Sequence, residues 1–192
     1  LIGVCLLLFT KSNKKKDIGS ILAGFAILMI GMDTMSGAVK PLAEIDGFKN
    51  LFLMFENPVL GVVAGAVLTA IIQSSSAMTG ILISFSGAMP FRMAMFMILG
   101  SNIGTCVTAL LSSIGTNANA RRTAVIHLLF NCFGALLFLA PLWIWQHQIE
   151  DFIVLISGDN VSRQIANFHT LFKILIVAVF LPFINLLVKL SM

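Results

Sequence analysis

Long apolar stretches, interrupted at uneven intervals by short polar ones, run along almost the whole sequence. The first, LIGVCLLLF, lies within residues 1–10 and stops before Lys11. A bilayer-crossing helix takes about 20 apolar residues, so this run reads as a truncated opening helix. A secretory signal is the competing reading, disfavoured because the basic residues follow the run instead of preceding it. Residues 18–38 are long enough to span. In 41–57, Leu51, Phe52, Met54 and Phe55 recur at a helical period among Glu44, Asp46, Lys49 and Glu56, which predicts an amphipathic helix lying in the interface. Further spans are expected over 93–114, 124–145 and 171–188.

Between them lies an anomaly. Residues 59–72 and 77–89 are both apolar, but at 1.5 Å per residue neither crosses a hydrocarbon core of about 30 Å. Gln73, Ser74, Ser75 and Ser76 separate them. An unpartnered polar group in an apolar setting costs several kcal/mol, so four in a row predict a broken, re-entrant hairpin over 59–89. Irregular backbone of this kind is tolerated at membrane depth where it is buried in protein or lines a watery cavity.

Composition fixes the solvent. Of 192 residues 58% are hydrophobic and 10% are charged, against roughly 25% charged in soluble domains. The chain is therefore expected to be an all-α polytopic membrane bundle in a lipid bilayer, one transmembrane domain over 1–192. The net charge of +4 reflects loops rather than nucleic-acid binding, since no basic stretch is interleaved with aromatics. Lys11, Lys14, Lys15, Lys16, Arg121, Arg122 and Lys189 fall on one side of the expected spans, which the positive-inside rule makes cytoplasmic. Lys40, Lys49, Arg92, Arg163 and Lys173 fall on the other. Cys5, Cys106 and Cys132 stand singly, with no metal-ligand spacing.

Chemistry concentrates at three places. At QSSS, hydroxyls and free N–H groups at a helix start suit an oxyanion, while carbonyls of the unwound stretch suit Na⁺. Serine bonded to its own helix is the plain alternative. In GSNIGTCVTALLSS, Ser101, Thr105, Thr108 and Ser112 recur on one helix face beside Asn102, Gly100 and Gly104. Ser101, Asn102 and Thr105 read as a second polar break, and Thr108 and Ser112 equally as helix-packing hydroxyls. Third, His127 and Asn131, at i and i+4, either serve the site or pin their helix to a neighbour. Arg92 caps the hairpin, draws anions toward it, or is simply exposed. Gly24 and Gly31 suggest close helix approach. No base stands near the serines in sequence, so nothing suggests an enzyme.

The segments NPVLGVVAGAVLTAIIQSSSAMTGILIS, ILGSNIGTCVTALLSSIGTNANARRTAVIHLLFN and ANFHTLFKIL together resemble the type II sodium-dependent phosphate cotransporter family, including its bacterial members, over roughly 18–190. That resemblance implies two inverted repeats, each with its own QSSS, meeting at the substrate site. With a single QSSS, this chain corresponds to the second repeat, one half of an inverted-repeat transporter. Its partner would be an N-terminal repeat of the same protein or a second copy. The implied activity is uptake of inorganic phosphate by alternating access, with Na⁺ as coupling ion and no other cofactor, in a bacterial inner membrane.

Carried onto this sequence, Gln73, Ser74, Ser75 and Ser76 would bind substrate. Ser75, Ser76, Thr79, Asn102 and Thr105 would bind sodium, with Ser101, Thr108, His127 and Asn131 as polar support. The residues alone reach only an oxyanion and a cation at broken helices. An ion channel and a non-transporting scaffold subunit remain the rivals.

Overall fold

The computed structural model describes residues 1–39, 41, 45, 47, 57–87 and 89–191. Among them the regular elements are helical: α1 (Ile2–Phe9), α2 (Asn13–Val39), α3 (Pro58–Ile72), α4 (Ser75–Ser84), α5 (Phe91–Gly104), α6 (Cys106–Ser113), α7 (Ala118–Ile144), α8 (Gln146–Ser157), α9 (Val161–Phe180), a 3₁₀ turn (Leu181–Phe183) and α10 (Ile184–Leu190). The interfacial helix expected over 41–57 falls almost entirely outside the described residues.

Three helices start on the same device, an asparagine that accepts from orphan N–H groups of the first turn. Asn57 Oδ1 takes the N–H of Val59 at 3.0 Å, with Pro58 at the first helical position. Asn117 takes that of Ala120 at 2.9 Å, and Asn160 that of Arg163 at 3.0 Å. The last of these moves a boundary. The sequence places the final span at 171, whereas α9 begins at Val161. Its first half is amphipathic, burying Gln164, Ile165, Phe168, Phe172 and Ile176 along one side, and so lacks a uniformly apolar signature. α8 has no counterpart among the expected elements; it ends at Gly158, whose φ of 70° favours glycine.

Four stretches are long and apolar enough to cross a membrane: Asn13–Met35, Phe91–Ser113, Ala118–Ile144 and Val161–Leu190. The pair α3–α4, bent by 120° at its break, would be a fifth only if taken as one span. The protein is thus an integral membrane helical bundle with a broken helical pair. α2 presents Ile18, Ile21, Phe25, Ile27 and Ile30 outward, as a lipid-facing helix does. Among the described residues nothing lies within 4 Å of where a side chain would begin at Gly24 and Gly31, so the close approach suggested for them is not made there.

The core centres on α5, where Met93 through Leu99 are at most 1% exposed. α5 packs along α3 backbone to backbone. A Cβ at Gly65 would fall on the Met97 carbonyl, one at Gly100 on the carbonyl of Val62, and one at Gly104 on that of Ala66. Gly100 meets Val62 and Ala66, and one turn on Gly104 meets Ala66, Thr69 and Ala70, so the two helices run parallel. Small residues permit such contact, which in lipid supplies dispersion where no hydrophobic effect drives helices together. Gly61, Gly65 and Thr69 form the buried stripe of α3.

α7 and α9 run antiparallel. Phe138 meets Phe172 edge-to-face at 5.3 Å and Phe130 meets Phe180 at 5.5 Å. Between them Ile176 fills the space where Gly134 lacks a side chain. Gly134→Ala is expected to cost about 1–3 kcal/mol, because the displaced Ile176 is fully buried. Thermal unfolding of the full-length protein in detergent reads this as a lowered midpoint.

Candidate functional site

The hairpin break is built residue by residue. Gln73 ends α3 in the left-handed conformation, φ 59° and ψ 22°, and its N–H closes on the Thr69 carbonyl at 2.7 Å. It has the only positive φ of any non-glycine residue described. Ser74 is extended and caps α4, its Oγ accepting the Ala77 N–H at 3.2 Å. The N–H groups of Ser75 and Ser76, at the first two positions of α4, meet no acceptor among the described residues. Neither do their hydroxyls or the Gln73 side chain take part in an intramolecular hydrogen bond there. Ser74 and Ser75 are half-buried, Gln73 and Ser76 exposed. Thr79, one turn on, donates its hydroxyl to the Ser75 carbonyl at 2.9 Å, which leaves its oxygen lone pairs available.

The second break lies alongside. α5 ends at Gly104 and α6 begins at Cys106, with Thr105 between. Gly104 touches Ala66, Thr69 and Ala70 of α3, about one helical turn before Gln73. The parallel pair therefore breaks twice at one level. Thr105 donates to the Ser101 carbonyl at 2.7 Å, and Thr108 to that of Thr105 at 2.9 Å. Ser112 bonds its own helix at Ala109. These three hydroxyls all bond nearby backbone carbonyls, and the interruption at Thr105 divides the expected face of four hydroxyls.

Among the described residues three polar atoms near this level are buried without a partner: Thr69 Oγ1, Ser101 Oγ and Asn102 Nδ2. Native interiors leave few such groups. Asn102, 1% exposed, accepts at Oδ1 from the Lys173 ammonium of α9. Among the described residues no three His, Cys, Asp or Glu converge to hold a metal ion. A sodium ion here would take hydroxyl, amide and carbonyl oxygens.

Asn131 donates to the His127 carbonyl at 2.9 Å, and Cys106 approaches that carbonyl at 3.6 Å, joining α6 to α7. The His127 ring lines a groove of about 360 Å³ with Ser112, Ser113 and Thr123. Arg92, at the start of α5, is held by Glu150 at 2.5 Å and His147 at 2.8 Å of α8, and does not cap the hairpin.

Two residues escaped the sequence reading. Thr69 is the lone hydroxyl in the apolar run of α3, four residues after Gly65, and that spacing was its signal. The sequence puts Lys173 among the charges at a membrane face, because it lies at the very start of a span drawn from 171. The Asn160 cap puts it well inside a helix instead. It drops out of the topology count.

Residues 28–158 match the family described as Na+/Pi-cotransporter. The chain is 34% identical over 193 residues to the uncharacterized protein YqeW of Bacillus subtilis, covering 99% of the chain and 61% of that relative. It is 25% identical over 187 residues to YjbB of Escherichia coli, named as a candidate inorganic phosphate export protein, covering 96% of the chain and 34% of the relative. Identity to sodium-dependent phosphate transport protein 2B of Pongo abelii is 31% over 183 residues, 89% of the chain and 26% of the relative. The chain thus spans between about a quarter and three fifths of these relatives. No solved structure matches it.

Proposed function

The chain belongs to the Na+/Pi-cotransporter family, and from that premise we propose that it forms one half of a carrier that moves inorganic phosphate with Na⁺ across a bacterial plasma membrane. The observation that carries this reading is the meeting of two polar breaks at one level of the glycine-locked α3–α5 pair. Phosphate would sit at the start of α4, where the Ser75 and Ser76 N–H groups, the serine hydroxyls and the Gln73 amide are open donors. Such an N-terminus favours an anion through unpaired donors and partial positive charge. Sodium would take oxygens of Ser75, Ser76, Thr79 and Thr105; the Asn102 amide oxygen, the fifth expected from the sequence, is engaged by Lys173. Its charge offsets that of phosphate, which lowers the cost of holding either in a poorly screened interior.

A complementary half, supplied by an N-terminal repeat or a second copy, would complete the site. In support, α3 leaves Val59, Val63, Val67 and Ile71 exposed on its outer side, an apolar face suited to another helix. Direction is the open choice between relatives. An inward sodium gradient drives uptake, whereas the name of YjbB points to export.

The test is radiolabelled phosphate flux in vesicles bearing the full-length protein, loaded on either side, with sodium or choline outside. Sodium-dependent uptake is the expected result. Outward flux alone would reassign the direction. Equal flux in sodium and choline, without saturation, would favour a channel, and no flux at all a scaffold.

A further inference from the structure

Resting on that transport reading, we infer that Lys173 is a tethered cation of the phosphate site, its ammonium held at Asn102 where a coupling sodium ion would otherwise bind. Lys173 lies inside the Val161–Leu190 span. A lysine of a membrane helix ordinarily extends its ammonium toward the headgroups. This one turns inward and donates to Asn102 Oδ1, on a residue 1% exposed. Among the described residues no carboxylate pairs with it; the ion pair described, Arg92–Glu150, lies at the other end of α5.

The surroundings are those of a ligand site. Among the described residues Asn102 Nδ2, on the side chain that holds the ammonium, and the adjacent Ser101 Oγ are buried and unpartnered, as is Thr69 Oγ1 across the seam. The level matches as well. Ser86 and Ser162 share a hydrogen bond at 2.8 Å, joining the end of the α4 segment to the start of α9. From that point Ser75 lies eleven residues back, through the turn that closes α4 and then α4 itself, and Lys173 eleven residues on along α9. Each interval is about 16 Å for a helix, and the two helices pack along one another. Lys173 therefore stands level with the serine break.

An ammonium and a sodium ion carry the same charge and seek the same oxygen acceptors. With Asn102 Oδ1 already taken, a second cation at that oxygen would meet direct repulsion. A fixed positive charge at this level also gives phosphate a counter-charge that does not have to be imported. This chain would then need one sodium fewer per phosphate than the same site with a neutral residue at 173.

The experiment uses the full-length protein as wild type, Lys173→Gln, Lys173→Asn and Lys173→Arg. Phosphate uptake into proteoliposomes is measured across a sodium titration at constant ionic strength. Thermal unfolding in detergent is followed over the same titration, since the sodium slope of stability counts ions bound by the folded state. The neutral variants should show steeper sodium dependence, with the apparent number of sodium ions rising by about one. Lys173→Arg should keep the wild-type slope. Unchanged slopes in the neutral variants would overturn the inference. So would failure of both to give monodisperse protein while Lys173→Arg behaves normally, which would make Lys173 a structural anchor. If wild type itself shows no sodium-dependent phosphate uptake, the transport reading fails alone, and the thermal titration still decides whether removing the ammonium opens a sodium site.

Discussion

Gly100→Val is expected to leave no monodisperse folded protein. A Cβ at Gly100 would coincide with the carbonyl of Val62 and crowd the Ala66 nitrogen at 2.8 Å. Both obstacles are backbone, so no rotamer change relieves them, and α3 and α5 would have to part along their whole seam. Overpacking typically costs about 1–3 kcal/mol when side chains can yield; here the cost should reach or exceed the top of that range. Size-exclusion chromatography of the fluorescently tagged full-length protein in mild detergent reads the outcome directly. Gly24→Ala is the matched control. Its position in α2 is open, and alanine gains about 1 kcal/mol of helix propensity over glycine, so it should elute like wild type. A Gly100→Val protein that also did so would show that the seam is dispensable.

The second large effect is functional. Ser75→Ala combined with Ser76→Ala should reduce sodium-dependent phosphate flux by at least about tenfold, since one hydrogen bond to a charged ligand is worth roughly 1.5–3 kcal/mol. Stability should hardly change. Among the described residues neither hydroxyl has a partner, and alanine favours the first turn of α4 at least as well as serine. Ser74→Ala is the wrong variant for this purpose. Ser74 caps α4 through the Ala77 N–H, so its loss costs about 1 kcal/mol of helix stability and confuses folding with binding. Flux is measured on vesicles matched for inserted protein. Wild-type flux in the double variant would return both serines to the role of small residues at a tight turn.

How much of this was legible beforehand follows from what each feature depends on. The hairpin break was readable because its cause is local: two apolar segments too short to span, divided by four polar residues. The all-helical membrane class was equally local. The beginning of α9 was not, because Ser162, Arg163, Gln164 and Asn167 make its first half polar, and only burial of Gln164, Ile165 and Phe168 against the core holds it helical. Lys173 was misjudged as a consequence of that boundary. Glycines show a further limit. Gly24 and Gly31 look as suited to close packing as Gly65 and Gly100, but what distinguishes them is which helix lies opposite, and that is a property of the tertiary arrangement. The buried, unpartnered Thr69 could be suspected from its isolation among apolar residues, though its neighbour Gly104 lies far away in sequence.

The interlocked carbonyls of α3 and α5 also bear on mechanics. Because the Val62 carbonyl occupies the notch at Gly100 and the Met97 carbonyl that at Gly65, the two helices act like meshed teeth. Neither can slide along the other by a fraction of a turn without collision. Any rearrangement that turns the serine break from one membrane face to the other must move them as a single rod. The compliance has to be sought at the joints of that rod: the left-handed Gln73 and the interruption at Thr105.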